Sequence, residues 1–432
     1  MEAGSRSLID QQPISRLQYV TVLLCFVMNM LDGMDVMVIS YAAPAIAGDW
    51  DVSPGSLGIV FSAGLLGMTA GALFLAPFAD RIGRKALILL SAGLMGISIY
   101  LTSYSVDVTD LIVFRFVSGL GIGSMLACTA ALSSEYTPNR SRDFWVSFVL
   151  SGYPVGAVLS GLVAARVIPA SGWEALFRIA GATTLLALPL VQLFLTESLQ
   201  FYLNAPSPGS LARANAILAR MGKEPLESLP ERPLGPGGIP VRSLLGPDYK
   251  VSTFQLWTAL FLSFATLYFL LSWIPKLAAN AGLSMELAIY AGAVFNVGSF
   301  FGVITQGYFS SRFGLKKTIG IFLILTAILM AVFRVFAGSP ALLLVFGLLG
   351  FGVQGGFVGL YAVAARLYPT QFRTTGVGWA IGMGRLGGIT GPAVGGLLIG
   401  LGLTMTANFL IFAVPTAVAG LVTWRIVSRN IS

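Results

Sequence analysis

The sequence contains no histidine, only two cysteines and very little charge. Without histidine, a proton that moves near neutral pH must be carried by a carboxyl group. The same absence leaves no Ser/His or metal-ligand constellation of the kind that enzymes use. Cys25 and Cys128 are too few for a disulfide framework or a zinc site. These features argue against an enzyme and predict a chain without a metal or an organic cofactor.

The shortage of charge indicates a membrane protein. Asp, Glu, Lys and Arg make up 10% of the 432 residues, whereas soluble domains carry about 25%. Hydrophobic residues make up 56%, and the mean hydropathy is +0.84. Backbone polar groups must be paired within each segment that crosses hydrocarbon, so the spans are helices. We therefore predict an all-α membrane protein whose immediate surroundings are the lipid bilayer.

Twelve apolar runs are long enough to cross a bilayer, which takes about 20 residues. Their approximate limits are 18–47, 54–78, 86–105, 109–134, 143–167, 175–195, 252–277, 286–309, 317–337, 341–365, 374–401 and 404–426. Most of the 26 basic residues fall on one side of these spans. By the positive-inside rule, both termini and the long central loop are cytoplasmic. The net charge of +8 reports this topology, so no nucleic-acid partner is expected.

The chain repeats itself at an offset of 231 residues. Pairs at this offset include Pro44 with Pro275, Gly67 with Gly298, Arg81 with Arg312, Gly119 with Gly350 and Pro138 with Pro369. The repeat predicts an N-terminal six-helix half at 1–196, a cytoplasmic linker at 197–250 and a C-terminal six-helix half at 251–432. Parallel repeats are typical of transporters. Within the linker, SLARANAILARMG favours a short amphipathic helix.

Four segments resemble the major facilitator superfamily. ADRIGRK (79–85) resembles the loop after that family's second span, and SRFGLKK (311–317) is a weaker copy in the second half. RFVSGLGIG (115–123) resembles its fourth span, and TESLQFYL (196–203) the segment that closes its first half. The loop departs from the pattern at Ala76, where the family usually has glycine. The resemblance implies two pseudo-symmetric halves around a cavity lined by spans one, four, seven and ten, in a fold that commonly works as a monomer.

Two further segments are similar to the aromatic acid:proton symporters within that superfamily. They are DGMD (32–35) and LYPTQFRTTGVGWAIGMGRLGGITGP (367–392). This similarity implies proton-coupled uptake of a small anionic aromatic carboxylate across the cytoplasmic membrane by alternating access. The alternatives are a porter of another organic acid or a sugar, a drug or metabolite exporter, and a non-transporting receptor. The fifth-span segment SGYPVGAVLSG (151–161) lacks the GPxxGG pattern of exporters, and no soluble signalling domain is evident.

Four charged residues lie deep inside the predicted spans, away from the span ends: Asp32, Asp35, Arg115 and Arg385. Each charge at a helix centre costs roughly 2.5–3.5 kcal/mol on insertion scales. At the offset of 231, their positions are occupied by Ser263, Thr266, Phe346 and Pro154, respectively. The scaffold is repeated and the charges are not, which is expected if they serve one ligand. Asn29, Asp32 and Asp35 are spaced by three residues and share one helix face.

We predict that Asp32, Asp35 and Arg115 couple proton movement, with one of the two aspartates as the proton carrier. Arg385 is predicted to hold the substrate carboxylate by paired hydrogen bonds. Further substrate contacts are predicted at Asn29, Tyr268, Asn296, Gln354, Phe357, Tyr361 and Trp379. The alternative for the charges is an Asp35–Arg115 ion pair that only locks two helices. The alternative for the aromatic side chains is ordinary helix packing.

A second charged group lies at the cytoplasmic ends of the spans: Asp80, Arg81, Arg84, Glu135 and Arg140. The resemblance implies a cytoplasmic gate. In that gate, Asp80 meets the N-terminus of a neighbouring helix, and Arg84 or Arg140 pairs with Glu135. The alternative is ordinary positive-inside charge whose long side chains reach towards water.

Overall fold

The computed structural model describes residues 14–138, 141–204, 209–229, 244–247, 249–336, 341–368 and 373–426, and the regular structure in these ranges is helical. The first half contains α1 (Arg16–Asp49), α2 (Pro54–Ala70), α3 (Ala79–Ile82), α4 (Arg84–Thr102), α5 (Val108–Glu135), α6 (Arg142–Leu150) and α7 (Gly152–Phe194). Two short helices follow, α8 (Leu199–Asn204) and α9 (Ser210–Arg220). The second half contains α10 (Lys250–Asn280), α11 (Met285–Phe313), α12 (Leu315–Ala331), α13 (Leu342–Leu367), α14 (Arg373–Gly400) and α15 (Met405–Arg425).

The helices account for twelve spans. In the described part of the chain, nine helical stretches are long and apolar enough to cross a membrane. One of them, Phe144–Phe194, is kinked at Gly172, where φ is 80°. This stretch therefore contains both the fifth and the sixth span. The 17-residue helix α12 and the helix α14 supply the remaining two. The predicted all-α architecture of twelve spans is confirmed.

Three local details go beyond the predicted spans. The second span continues past α2 as a π-helical turn at Gly71–Leu75 and a 3-10 turn at Ala76–Phe78, where Pro77 cannot donate a backbone hydrogen bond. The fifth span is interrupted between α6 and α7 at Ser151. The amphipathic helix predicted in the linker is present as α9, with Ala214, Ile217 and Leu218 buried among its residues.

Glycines set how closely the helices pack. A Cβ at Gly67 of α2 would collide with the carbonyl oxygen of Phe116 of α5, and a Cβ at Gly298 of α11 would collide with that of Gly347 of α13. A Cβ at Gly387 of α14 would likewise overlap the backbone of Phe261 on α10. Small residues at membrane interfaces allow backbones to approach in this way. The repeated glycines of the sequence are therefore packing positions.

The two halves meet at the ends of the spans opposite the basic loops. The Ser40 hydroxyl donates to the carbonyl oxygens of Leu271 and Ser272 at 2.7 and 2.9 Å. The Ser62 hydroxyl donates to the Ile389 carbonyl oxygen at 2.6 Å. Ser40 and Leu271 are equivalent positions of the repeat, so this contact lies on the pseudo-twofold axis. The predicted external end of the bundle is therefore closed.

Candidate functional site

An ion pair joins the first and fourth spans. Arg115 Nη1 on α5 donates to Asp35 Oδ1 on α1 at 2.7 Å, and the side chains are only 5% and 0% exposed, respectively. The same nitrogen reaches the Asp35 carbonyl oxygen at 3.3 Å. Gly64 on α2 leaves room for the guanidinium, since a Cβ there would lie 3.3 Å from Arg115 Nη2. Asp35 is therefore a carboxylate with a fixed counter-charge.

Asp32 lies in a different environment one helical turn away. It is 1% exposed, and its Oδ1 has no hydrogen-bond partner among the described residues. The charged groups that act on it are Asp35 and Arg385. Because Arg115 is bonded to Asp35, the two sequence-predicted aspartates differ: one is paired and the other is not. A buried carboxyl group without a partner is strongly disfavoured in its charged form.

Arg385 lies on α14 and faces the same region from the second half. Its guanidinium acts electrostatically on Asp32, Tyr268 and Tyr361. Arg385 is only partly buried. In the described ranges it makes no ion pair or hydrogen bond, in contrast to Arg115. The structure therefore brings together all four intramembrane charges that the sequence singles out and leaves one arginine available to an anion.

An aromatic cluster lies beside Arg385. Its centre is Phe264 on α10, whose ring centroid is 4.6 Å from Phe357, 5.9 Å from Tyr268 and 6.4 Å from Tyr361. Phe357 and Tyr361 on α13 are also in contact, at 5.2 Å. The sequence predicted three of these four residues and missed Phe264. The cluster gives Arg385 the apolar, flat surroundings that a bound aromatic ring requires.

Glycines on α14 and α1 show how the repeat was modified at this site. Gly384 precedes Arg385, and a Cβ there would run into the Phe264 ring. The equivalent pair in the first half is Tyr153 with Gly33, where a Cβ on Gly33 would overlap the Tyr153 backbone. The contact is repeated, but its aromatic residue has moved from one helix to the other. This relation between aligned positions was the available signal for Phe264 and Tyr153, both of which sequence analysis missed.

The predicted amide side chains differ in their partners. Asn296 on α11 is buried and donates to the Gly292 carbonyl oxygen at 2.9 Å, one turn back on its own helix. Asn29 on α1 is equally buried, yet neither its Nδ2 nor its Oδ1 has a hydrogen-bond partner in the described part of the chain. Gln354 on α13 lies one turn from Phe357 and is partly exposed. Asn29 is therefore the fully buried amide of the three whose side chain makes no hydrogen bond in the described part of the chain.

Trp379 lies apart from this cluster. It is 45% exposed and stacks on Trp257 with ring centroids 6.1 Å apart and an interplanar angle of 28°. The equivalent residues of the first half, Phe148 and Phe26, stack in the same way at 4.7 Å and 16°. Because the stack is repeated in both halves, we interpret Trp379 as part of the scaffold. The prediction of a substrate contact at this position gains no geometric support.

A cavity between the halves reaches Arg115 and Tyr268. Its wall combines Val36 and Ile39 of α1, Phe61 of α2 and Leu271 of α10 with these two polar residues. The cavity lies between the helices that would move apart if the halves rocked, and it connects the ion pair to the aromatic cluster.

Two of the predicted gate residues, Arg84 and Glu135, belong to a network at the opposite end of the bundle. Arg84 at the start of α4 pairs with Glu135 at the end of α5, and Glu135 Oε2 accepts from the Ser198 hydroxyl at 2.5 Å. Tyr136 donates its hydroxyl to the Glu197 carbonyl oxygen at 2.6 Å. Burial, and secondarily the charge of Glu197, raise the pKa of Tyr136 above its ordinary range, so the hydroxyl remains a donor.

The carboxylate at the N-terminus of α4 belongs to Glu197. It accepts from the backbone N–H groups of Arg84 at 2.7 Å and Lys85 at 3.0 Å, where a helix N-terminus favours negative charge. Asp80 and Arg81 are exposed, and Arg81 lies over the Phe78 ring at 5.7 Å. Arg140 lies outside the described residues. Sequence analysis assigned a helix N-terminus to Asp80 and did not identify the role of Glu197.

Comparisons with known proteins agree with the resemblance. The sequence profile of the Major Facilitator Superfamily matches residues 25–306 and 256–430. The chain is 34% identical to the 4-hydroxybenzoate transporter PcaK of Pseudomonas putida, over 96% of this chain and 93% of that protein. It is 31% identical to the gallate transporter of Pseudomonas putida, over 96% and 92%. A solved D-xylose-proton symporter superposes with a TM-score of 0.74 at 18% identity, over 95% of this chain and 98% of that one.

Proposed function

Because the chain belongs to the Major Facilitator Superfamily and is a membrane transporter, not an enzyme, we propose that it imports an aromatic carboxylate together with protons. The observation that carries this proposal is the unpaired Arg385 beside the Phe264 cluster and opposite Asp32. No resident cofactor takes part, and the coupling ion is the proton.

The substrate carboxylate is assigned to Arg385. A guanidinium presents donors in a planar fork that matches a carboxylate bidentately. Arg115 has the same chemistry, but its Nη1 is already bonded to Asp35. The aromatic ring is assigned to the surface formed by Phe264, Tyr268 and Tyr361, where ring contacts are worth about 0.5–1.5 kcal/mol beyond burial. An aromatic acid satisfies both features at once.

The proton is assigned to Asp32. Asp35 has a counter-charge at 2.7 Å and can remain ionised. Asp32 is buried without a hydrogen bond to its Oδ1, beside a second carboxylate, and both conditions favour its neutral form. When Asp32 is neutral, Arg385 has no competing carboxylate across the site and can hold the substrate anion. When Asp32 releases its proton, its charge competes for Arg385 and the anion leaves.

Alternating access links these two steps. Protonation and substrate binding together leave the site without excess charge, so the loaded halves can rock about the contact at Ser40. The external acid side supplies the proton, and the cytoplasm accepts it. The distribution of basic residues supports a cytoplasmic location of both termini. The polypeptide works as a monomer in this scheme, because one chain contributes every group of the site.

A sugar is the second candidate because a D-xylose-proton symporter shares the fold. Sugars are neutral, however, and would leave Arg385 without a counter-charge. A partly buried arginine gains more from a charge-assisted, bidentate contact with a carboxylate than from a contact with a neutral sugar hydroxyl. The polar and charged groups of this site therefore favour an anion over a sugar.

The test is uptake of labelled 4-hydroxybenzoate into liposomes with an acidic exterior, with and without a protonophore. We expect Arg385→Gln to lose both accumulation and substrate counterflow. Asp32→Asn should lose gradient-driven accumulation and retain counterflow, because the amide imitates the protonated carboxyl group. Arg334→Gln, at an exposed position, is the matched control and should behave as the wild type. If Asp32→Asn still accumulated substrate, the assignment of the proton to Asp32 would be contradicted. If Arg385→Gln still bound 4-hydroxybenzoate tightly, the assignment of the substrate carboxylate to Arg385 would be contradicted.

A further inference from the structure

Two polar side chains at the edge of the site have unused hydrogen-bonding groups. Asn29 is 1% exposed and both of its amide atoms lack partners, and the buried hydroxyl of Tyr153 also lacks one. Their helices are in contact at this level, because a Cβ on Gly152, the residue before Tyr153, would lie 3.3 Å from the Asn29 Cβ. Each orphaned buried polar group costs about 1–3 kcal/mol. A pair of them at one place calls for a ligand.

These groups belong to the central site. Tyr153 interacts electrostatically with Asp32, Arg115 and Tyr268, which lie on three different helices. Asn29 is one helical turn from Asp32 on the same face of α1. Both residues come from the first half, whereas Arg385 and the aromatic cluster come from the second. A substrate that is anchored at Arg385 and spans the site therefore meets the first half, to which Asn29 and Tyr153 belong.

The repeat shows that the fold does not require these polar groups. The position equivalent to Asn29 is Leu260, and the position equivalent to Tyr153 is Gly384. Leu260 is buried, as Asn29 is, so the same helix position accepts an apolar side chain. The orphaned amide and hydroxyl are therefore additions to the scaffold.

The chemistry of the pair selects a hydroxyl group. An amide offers donors and an acceptor, and a phenol both donates and accepts. A second carboxylate can only accept, so it would leave the Asn29 Oδ1 without a donor. A ring hydroxyl donates to Asn29 Oδ1 or Tyr153 Oη and accepts from Asn29 Nδ2. We infer that Asn29 and Tyr153 form a subsite for a hydroxyl group on the aromatic ring, so that the transporter selects hydroxylated aromatic acids over unsubstituted ones. This inference rests on the proposed function.

The test compares benzoate with 4-hydroxybenzoate as displacers of labelled 4-hydroxybenzoate from the purified protein. Wild type should require more benzoate than 4-hydroxybenzoate for half-displacement. Tyr153→Phe and Asn29→Leu should each lower this ratio roughly threefold to tenfold, which is the range of one net hydrogen bond. A site built to bind a hydroxyl rejects the analogue that lacks it. The ratio isolates the hydroxyl contact, because the carboxylate and the ring are common to both acids.

Thermal unfolding of the same variants separates a substrate contact from a structural one. Because the Asn29 amide and the Tyr153 hydroxyl lack partners in the described structure, Asn29→Leu and Tyr153→Phe should leave the unfolding midpoint unchanged or higher. Tyr41→Phe is the matched control, since the Tyr41 hydroxyl donates to the Ala157 carbonyl oxygen at 2.8 Å. It should lower the midpoint and leave the displacement ratio at the wild-type value.

Different results would overturn the hydroxyl subsite and the proposed transport function. If wild type binds both acids equally, or if both variants keep the wild-type ratio, water satisfies the orphaned groups and the hydroxyl subsite is overturned while aromatic acid transport stands. If neither acid binds to the wild type, the proposed function itself fails. A midpoint that falls in Asn29→Leu and Tyr153→Phe, as in Tyr41→Phe, also overturns the subsite.

Discussion

The Asp35–Arg115 ion pair offers a quantitative test of how charge is balanced in the site. With side chains 0% and 5% exposed and 2.7 Å between the bonded atoms, neither residue has water to replace its partner. Removing one member of a buried pair costs about 3–5 kcal/mol, because the remaining charge is left uncompensated. We therefore expect Asp35→Asn and Arg115→Met to destabilise the protein by that amount each.

The double variant should cost much less than the two single changes together. Independent effects would sum to about 6–10 kcal/mol. The double variant contains no unpaired charge and leaves one unsatisfied amide, which costs about 1–3 kcal/mol. The difference is a coupling energy of several kcal/mol, measurable as a double-mutant cycle by chemical denaturation of the purified protein. A double variant as unstable as the sum would show that the two side chains do not act as a unit.

Transport by the same three variants tests whether the pair does more than balance charge. Asp35→Asn leaves a net positive charge that favours ionised Asp32, and Arg115→Met leaves a net negative charge that favours protonated Asp32. Either single change should therefore abolish gradient-driven uptake by holding Asp32 in one state. The double variant restores the original net charge and should recover a substantial part of that uptake. If it transports no better than the weaker single variant, Asp35 or Arg115 acts directly on the proton or the substrate, and the assignment to Asp32 alone is refuted.

Two further predictions concern the aromatic cluster and the external closure. Phe264→Leu should weaken binding of aromatic acids by about 0.5–1.5 kcal/mol, roughly threefold to tenfold, whereas Trp379→Leu should change the affinity less than twofold. Direct binding measurements on both variants test this prediction. A larger loss of affinity in Trp379→Leu than in Phe264→Leu would place the substrate ring at Trp379. Ser40→Ala removes the hydrogen bonds to Leu271 and Ser272, and a net hydrogen bond is worth about 0.5–1.5 kcal/mol. The change should therefore raise labelling of a cysteine introduced at Ile39 by an external thiol reagent severalfold. Unchanged labelling would show that Ser40 does not hold this end closed.

The spans and the intramembrane charges were predictable because their physical causes are local. A run of about 20 apolar residues is needed to cross a bilayer whatever its neighbours are. A carboxylate in such a run carries an insertion cost that does not depend on the fold. Asp32, Asp35, Arg115 and Arg385 were therefore evident from sequence, and the structure places them in one region.

The aromatic part of the site was harder to predict because it depends on helix rotation. The chain has 29 phenylalanines, and composition alone does not distinguish Phe264 at the centre of the cluster from one that faces lipid. Trp379 shows the converse case: its motif favours a substrate contact, which stays a prediction, whereas its stack on Trp257 is repeated in the first half and favours a packing role. Helix packing decides both cases, and packing involves residues far apart in the chain.

The cytoplasmic network shows a similar limit. The motif containing Asp80 drew attention to that residue, but the carboxylate that accepts from the α4 N-terminus comes from Glu197, over 100 residues later. The segment around Glu197 was visible in the sequence only as a resemblance. Its contact with Arg84 and Lys85 requires the sixth span to return to the start of the third, which local sequence patterns do not specify.

The division of labour between the halves has a mechanical consequence. In the proposed mechanism, the proton carrier Asp32 and the hydroxyl-binding pair are on the first half, and Arg385 and the aromatic cluster are on the second. The halves would turn about the contact on the pseudo-twofold axis at Ser40 and Leu271. Rocking therefore changes the separation between Asp32 and Arg385, and with it the electrostatic interaction of each with the substrate. If all groups of the site were on one half, they would move together as a rigid body, and the distances between them would not change during rocking. Placing the proton and the carboxylate on opposite halves is what allows the conformational change to alter the affinity for both.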